Sequence, residues 1–321
     1  VSIHDADAPV ILGRYRLLAP LGSGATAAVY RARDVRTGTA VAVKLVPDRD
    51  GLVTRARREM AAIDRLRHPN IAGLRDCGRH GDVLAIVQDL VPGRPLDALW
   101  AARRPRLGGA LDLTVQVLAA LAHAHGRGVV HRDVTPANVM VDESGRATLI
   151  DFGVATVSDS DELTYAGDLV GTVPYMAPEQ ARGETSTAAV DVWAAAMIAY
   201  EGIAGRNPMA GGSPRETLRR VSEGEVPRLS RARPGAPRPV ERLLAAALDP
   251  EPRARPRAAD LAAGIDRFLC NRPRRRKAQI AALGGALGLV GVAAGAPAAA
   301  ALAGLGGVAA LSMRVPRRPR S

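Results

Sequence analysis

Three short stretches set polar residues at spacings that suit the movement of a phosphoryl group. HRDVTPAN (131–138) puts Asp133 and Asn138 on one loop. LIDFG (149–153) supplies a further carboxylate, Asp151, after an expected hairpin, and VAVK (41–44) ends on Lys44. Transfer from ATP needs a backbone cradle for the phosphates, and GSGATA (22–27) offers one because Gly22 and Gly24 let main-chain N–H groups approach. It also needs a fixed cation. Lys44 is one of two lysines in a chain that otherwise uses arginine, and its compact ammonium differs from a guanidinium fork. That ammonium needs an anionic partner, for which Glu59 on an expected helix is available. Metal ions need oxygen ligands, Mg²⁺ taking one or two carboxylates beside phosphate and water, and the attacking hydroxyl needs a base. Asp133, Asn138 and Asp151 are the residues that could meet both needs. Each alone has a plain explanation, since Gly, Asn and Asp are common turn residues. Their joint order is what carries meaning.

The elements that must position them are readable from periodicity. Residues 14–47 alternate apolar runs with glycine breaks (YRLLAPLG, AAVYRARD, TAVAVKLV), which predicts strands and hairpins. Residues 52–67 carry apolar positions at helical spacing and stop before His68-Pro69-Asn70, which predicts a helix. VLAIVQDLV (83–91) predicts a buried strand. From residue 108 onward Ala/Leu-rich helical patterns dominate, interrupted by Pro-rich loops at 227–239 and 250–257. The expected architecture is α+β: a small β-rich lobe with one helix, then a larger helical lobe, with no internal repeat.

The chain has 321 residues, enough for two packed lobes, and aromatics are so scarce that Ala, Val and Leu must fill the core. Nine of the twelve net positive charges lie in 271–321, which holds no acid, so the main body is close to neutral. Nucleic-acid binding would want that charge on a folded face with aromatics, so no nucleic-acid partner is expected. Cys77 and Cys270 give neither a disulfide framework nor metal-ligand spacing. Asp5 and Asp7 with no long apolar run argue against a secretory signal, and a cytoplasmic main body is expected. Residues 278–313 contain no charge, and basic residues flank them at 271–277 and 314–321. Gly295 and Pro297 break the stretch into arms that would each be roughly 25 Å long as helices. That length is just enough to cross a thin bilayer, or a little short; a transmembrane hairpin with both ends cytoplasmic is expected, with a single tilted span and an Ala/Gly-rich linker as the alternatives.

HRDVTPAN, IDFG and GTVPYMAPE (171–179), preceded by GSGATAAV and VAVK, resemble the protein-kinase signature set in order and spacing. Asp191-Val192-Trp193 and DPEPRARP (249–256) look like landmarks of its helical lobe. The resemblance covers roughly residues 14–270 and is similar to the eukaryotic-like Ser/Thr protein kinases of actinobacteria. It implies a bilobal protein-kinase fold over 13–270, with an N-lobe at 13–91 and a C-lobe at 92–270. The apolar membrane tail would follow, tethering a cytoplasmic kinase domain to the cell membrane through the lipid bilayer.

The resemblance also implies roles. Gly22 and Gly24 would cover the ATP phosphates, and Lys44, paired with Glu59, would hold the α- and β-phosphates. Asp133 would be the base, while Asn138 and Asp151 would bind Mg²⁺ or Mn²⁺. Main-chain groups of Asp89 and Val91 would meet adenine, between apolar walls of Leu21, Val29, Ala42 and Met140. Gln88 stands at the gatekeeper position, where a bulkier apolar residue is common. Glu179 would pair with Arg255, and Asp191 would anchor the catalytic loop. Pro136 and Gly171-Thr172 look like the Ser/Thr class, so protein Ser/Thr hydroxyls are the implied acceptors. Arg132 before the base implies ordering by activation-loop phosphorylation, with Thr164 as the expected site and a homodimer as the means of trans-autophosphorylation.

One residue departs from the pattern. Most Ser/Thr kinases carry a lysine where Thr135 stands, and losing that contact to the transferring group would cost roughly 2–4 kcal/mol of barrier stabilisation. An active, slower kinase is expected. The alternatives are a catalytically weak nucleotide-binding scaffold at the membrane and a small-molecule phosphotransferase. The GT…APE segment with Glu179 and Arg255, a platform for protein substrates, argues against the latter.

Overall fold

The computed structural model describes residues 8–23, 27–48, 60–152 and 172–271. Gly24, Glu59, Thr164 and the tail from Arg272 to Ser321 lie outside the described residues.

The first lobe is an antiparallel sheet of β1 (Val10–Ile11), β2 (Tyr15–Ser23), β3 (Ala28–Asp34), β4 (Ala40–Pro47), β5 (Leu74–His80) and β6 (Val83–Asp89), in the order β1-β2-β3-β4-β6-β5. Side chains alternate faces along a strand, so register decides what this sheet presents. Val43 pairs with Val87 and Leu45 with Ala85, and this face closes over Tyr15, Leu17 and Ala32 as a small apolar cluster. The other face carries cross-strand rows that run Gly22, Val29, Lys44, Ile86 and Arg31, Ala42, Gln88. A slip of one residue would exchange the two faces. Residues 60–63 are helical, and Met60, Ile63 and Leu66 are buried in the main core with Val46, Leu84 and Ile86.

The chain passes to the second lobe through β7 (Arg94–Pro95), which pairs with β8 (Val139–Val141), itself the partner of β9 (Ala147–Leu149). Gly93 has φ +110°, and a Cβ there would sit 2.2 Å from the Val141 carbonyl oxygen. Only glycine tolerates both the conformation and the approach.

Helices α1 (Leu96–Ala102), α2 (Leu107–His125), α3 (Pro178–Ala181), α4 (Ala188–Ala204), α5 (Pro214–Glu223), α6 (Leu229–Ala232), α7 (Arg238–Ala247) and α8 (Ala258–Cys270) make up most of the second lobe. Almost all of α4 is buried, Trp193, Met197 and Tyr200 included, as befits a helix apolar on every side. The Thr187 side chain accepts from Ala189 N at its start, and left-handed Gly205 ends it. Helix α2 is long and apolar enough to cross a bilayer. Here it is a core element, with Leu111, Leu118 and Leu121 fully buried. The described residues thus form an antiparallel sheet lobe joined to a helical lobe.

Candidate functional site

The loop 131–138 is held from below by one buried carboxylate. Asp191, in the first turn of α4, accepts the backbone N–H of His131 and of Arg132, each at 2.8 Å, one on each oxygen. His125 Nε2 lies 2.7 Å from the same Oδ2 that binds His131. These bonds hold Arg132 at φ +68°, a left-handed conformation that non-glycine residues adopt at a cost. Gln180 braces the loop from α3, donating its Nε2 to the Arg132 carbonyl at 3.0 Å. Val134 and Pro136 are buried beneath it.

On this platform Asp133 and Asn138 face each other. Asn138 Nδ2 donates to Asp133 Oδ2 and to the Asp133 carbonyl, both at 2.9 Å. Among the described residues, Asp133 Oδ1 is buried with no hydrogen-bond partner. Burial pushes the Asp133 carboxyl above its ordinary value; the His131 ring, the Asn138 amide and Lys44 pull it down, and the nearby Asp151 charge adds to the rise. An unpartnered, buried carboxylate oxygen is an expensive arrangement unless something arrives to use it.

Asp151 is brought alongside by the β8–β9 hairpin. Ile150 N donates to the Asn138 carbonyl at 3.0 Å, and His131 Nε2 lies 3.0 Å from the Ile150 carbonyl. The His131 ring packs on Phe152 with centroids 4.5 Å apart. Asp151 itself has φ +63°. Its Oδ2 receives Lys44 Nζ from the sheet at 3.1 Å, and its Oδ1 receives Gln88 Nε2 at 3.0 Å. The structure thus brings together Lys44, Asp133, Asn138 and Asp151, which lie as many as 107 residues apart in the chain.

Gly22, Val29 and Ala42 share the sheet face that carries Lys44. Ala42 is buried, Val29, Val91 and Met140 are half-buried, and Leu21 is exposed. Asp89 ends β6; its N–H donates to the Gly73 carbonyl at 2.9 Å. The Asp89 carboxylate takes Gly73 N and Arg75 Nε, at 3.1 and 2.5 Å.

Among the described residues no group of three or more His, Cys, Asp and Glu is placed to hold a metal ion. The oxygens of Asp151 and the amide oxygen of Asn138, whose nitrogen is already committed to Asp133, do fit Mg²⁺. That ion favours hard oxygens and fills much of its shell from phosphate and water. Transition metals that want imidazole or thiolate are not matched here.

A second buried arrangement backs the 171–179 segment. Arg255 Nη1 and Nη2 meet Glu179 Oε1 and Oε2 at 2.6 and 2.8 Å, with both side chains sealed from solvent. The guanidinium also donates to the carbonyls of Asp249 and Ala189 and lies over the Trp193 ring. Tyr175 donates to Glu201 Oε2 at 2.5 Å.

Sequence reasoning did not find the Gln88–Asp151, His125–Asp191 or Gln180–Arg132 contacts. The unusual amide at position 88 was the one available signal; His125 and Gln180 carry none.

Residues 15–264 match the family described as protein kinase domain. The chain is 39% identical over 272 residues to the serine/threonine-protein kinase PkaA of Streptomyces coelicolor, covering 78% of this chain and 49% of that protein. It is 34% identical over 247 residues to the serine/threonine-protein kinase PrkC of Bacillus subtilis, covering 75% and 38%. A crystal structure of the Mycobacterium tuberculosis PknI kinase domain superposes with a TM-score of 0.66 at 27% identity, covering 83% of this chain and 99% of that one. The chain therefore spans less than half the length of either curated relative.

Proposed function

Because the chain belongs to the protein kinase family, we propose that it transfers the γ-phosphate of ATP to serine and threonine hydroxyls of proteins. The observation that carries this reading is the convergence of Lys44, Asp133, Asn138 and Asp151 on one face between the lobes. Lys44 would hold the α- and β-phosphates, with Glu59 as its second anionic neighbour, and Gly22 and Gly24 would lie over the triphosphate. Asp89 and Val91 would meet adenine through the main chain, between Leu21, Val29, Ala42 and Met140. Asp133 Oδ1 would accept the hydroxyl proton as the acceptor oxygen bonds to the γ-phosphorus and the bond to the β-phosphate oxygen breaks. Asn138 and Asp151 would hold Mg²⁺, which supplies neutralisation of phosphate charge when bound.

Two finer readings accompany this one. The chain would autophosphorylate its activation loop at Thr164 within a homodimer. A buried Arg132 Nε without a hydrogen-bond partner among the described residues supports a phosphate-ordered loop. The uncharged stretch 278–313 with basic flanks would tether the kinase to the membrane, its kinase domain cytoplasmic.

The test is radiolabelled γ-phosphate transfer by the chain, with Mg²⁺ and with Mn²⁺, beside Lys44→Met and Asp133→Asn. Transfer to Ser or Thr that both variants abolish is the expected result. Thr135 favours one competing reading, a nucleotide-binding scaffold. ATP binding without transfer, with activity gained only in Thr135→Lys, would establish that reading instead.

A further inference from the structure

Both oxygens of Asp151 already have a donor. Lys44 Nζ takes Oδ2 at 3.1 Å, and the Gln88 amide takes Oδ1 at 3.0 Å. The two donors differ in what nucleotide does to them. Lys44 is the cation that the triphosphate would draw onto its own oxygens, so its bond to Asp151 is one that substrate exchanges. Gln88 is neutral and sits on β6 in register with Ala42, one row from Lys44. It is buried, and the Asp151 side chain is 16% exposed. Nothing in the phosphotransfer reading uses its amide.

We propose that Gln88 is a latch on Asp151: its amide competes with the divalent cation for the carboxylate and sets the metal concentration at which the site loads. The inference rests on the kinase reading of the site. A carboxylate oxygen that accepts a buried amide N–H offers less electron density to a cation. The amide N–H also points at Asp151 Oδ1, an oxygen that would otherwise be open to the cation. A buried hydrogen bond to a charged group is strong enough to matter. It also helps to hold Asp151 at φ +63°, so releasing it frees the residue that would carry the metal. An apolar side chain at position 88 could not do this. The latch is therefore specific to the amide and not to the bulk of the residue. Gln88 acts through Asp151 and is a positioning residue.

The experiment measures metal directly. Mn²⁺ is titrated into the full chain and followed by electron paramagnetic resonance, without nucleotide and with a non-hydrolysable ATP analogue. Gln88→Met keeps the length and volume of the side chain and removes the donor. The latch predicts that Mn²⁺ binds Gln88→Met about five- to tenfold tighter with the analogue present. The Mg²⁺ concentration for half-maximal transfer should fall by the same factor. In an Asp151→Asn background the Gln88→Met change should leave metal binding unaltered. Gln88→Asn, whose amide is one methylene short of the carboxylate, should behave like Gln88→Met if the bond matters and like the parent if only polarity does. It gives an independent reading should the methionine variant fold poorly.

Unchanged or weaker Mn²⁺ binding in both variants would overturn the latch and leave the kinase reading intact. An equal effect of Gln88→Met in the Asp151→Asn background would also overturn it, because the amide would then act on the pocket at large. A parent that binds neither metal nor analogue would overturn the kinase reading, and the latch with it.

Discussion

Asp191 ties the helical core to the backbone of the loop 131–138, and replacing it with asparagine isolates that connection. The side chain keeps its size and is almost wholly buried, so no cavity opens. What changes is acceptor capacity. The carboxylate accepts His131 N on one oxygen and Arg132 N on the other, each at 2.8 Å, with His125 Nε2 at 2.7 Å from the former. An amide can accept with one atom only. One backbone N–H keeps an acceptor but loses the help of the charge, worth about 1 kcal/mol. The other faces an NH₂ group and is left buried without a partner, costing about 1–3 kcal/mol. The expected loss is therefore about 2–4 kcal/mol, measured as a shift in the urea midpoint at constant slope. Function should suffer more than stability suggests. Arg132 stays left-handed because those bonds hold it, and Asp133 is the next residue. Letting the loop relax by about 1 Å would reduce kcat roughly 100-fold. Nucleotide affinity should barely change, since Lys44 stands on the sheet. A variant that loses less than about 0.5 kcal/mol and keeps kcat within about threefold would refute the idea that Asp191 sets the loop.

Glu179→Ala should destabilise the chain by about 3–5 kcal/mol, because it strands a sealed guanidinium; calorimetry would read this as a fall in Tm. Arg255→Lys should recover little of that pair, since an ammonium cannot reproduce the two-pronged contact at 2.6 and 2.8 Å. The acid limb of kcat/KM should lie above the ordinary aspartate value of 3.8, because burial raises the Asp133 carboxyl. The sign for stability is the reverse of a salt-bridged acid. In the window above 3.8 the unfolded chain has ionised Asp133 while the folded chain still holds its proton, so this residue's contribution falls as pH rises. Asp133→Asn should flatten that slope in urea titrations at several pH values.

The site residues were most legible where local spacing fixes chemistry. Asp133 and Asn138 sit five positions apart on one loop, and their side chains meet at 2.9 Å. The buried strand expected over 83–91 is β6 at Val83–Asp89, because an apolar run of that length bounded by turn residues has few other uses. What could not be read is what depends on packing between distant elements. Gln88 reaches Asp151 across 63 residues, and His125 reaches Asp191 across 66. Neither pair has a local pattern, and either glutamine or histidine could have stayed a solvated side chain. The face that β4 shows the site was open for a similar reason. VAVKLV alternates well in either orientation, and only pairing with β6 sets Lys44 inward.

Thr135 and Gln88 bear on one electrostatic balance. Asp133 feels Lys44 as an attractive charge and Asp151 as a repulsive one, and a threonine at 135 leaves that balance on the acidic side. An acidic site draws a divalent cation strongly but gives the transferring phosphoryl less help from the protein itself, so the metal must supply more of the neutralisation. Thr135→Lys should then change two quantities in opposite senses. The new ammonium would stabilise charge on the phosphoryl group and raise kcat by roughly two orders of magnitude. It would also repel the cation, raising the Mg²⁺ concentration for half-maximal transfer. The position is 4% exposed, so a new ammonium there would be costly to bury unless it extends to the phosphates, and both effects depend on that extension. A variant that merely repaired loop packing would raise kcat and leave the Mg²⁺ requirement unmoved. Finding that pattern would show that Thr135 acts on loop order and that the site's charge balance is set by other residues.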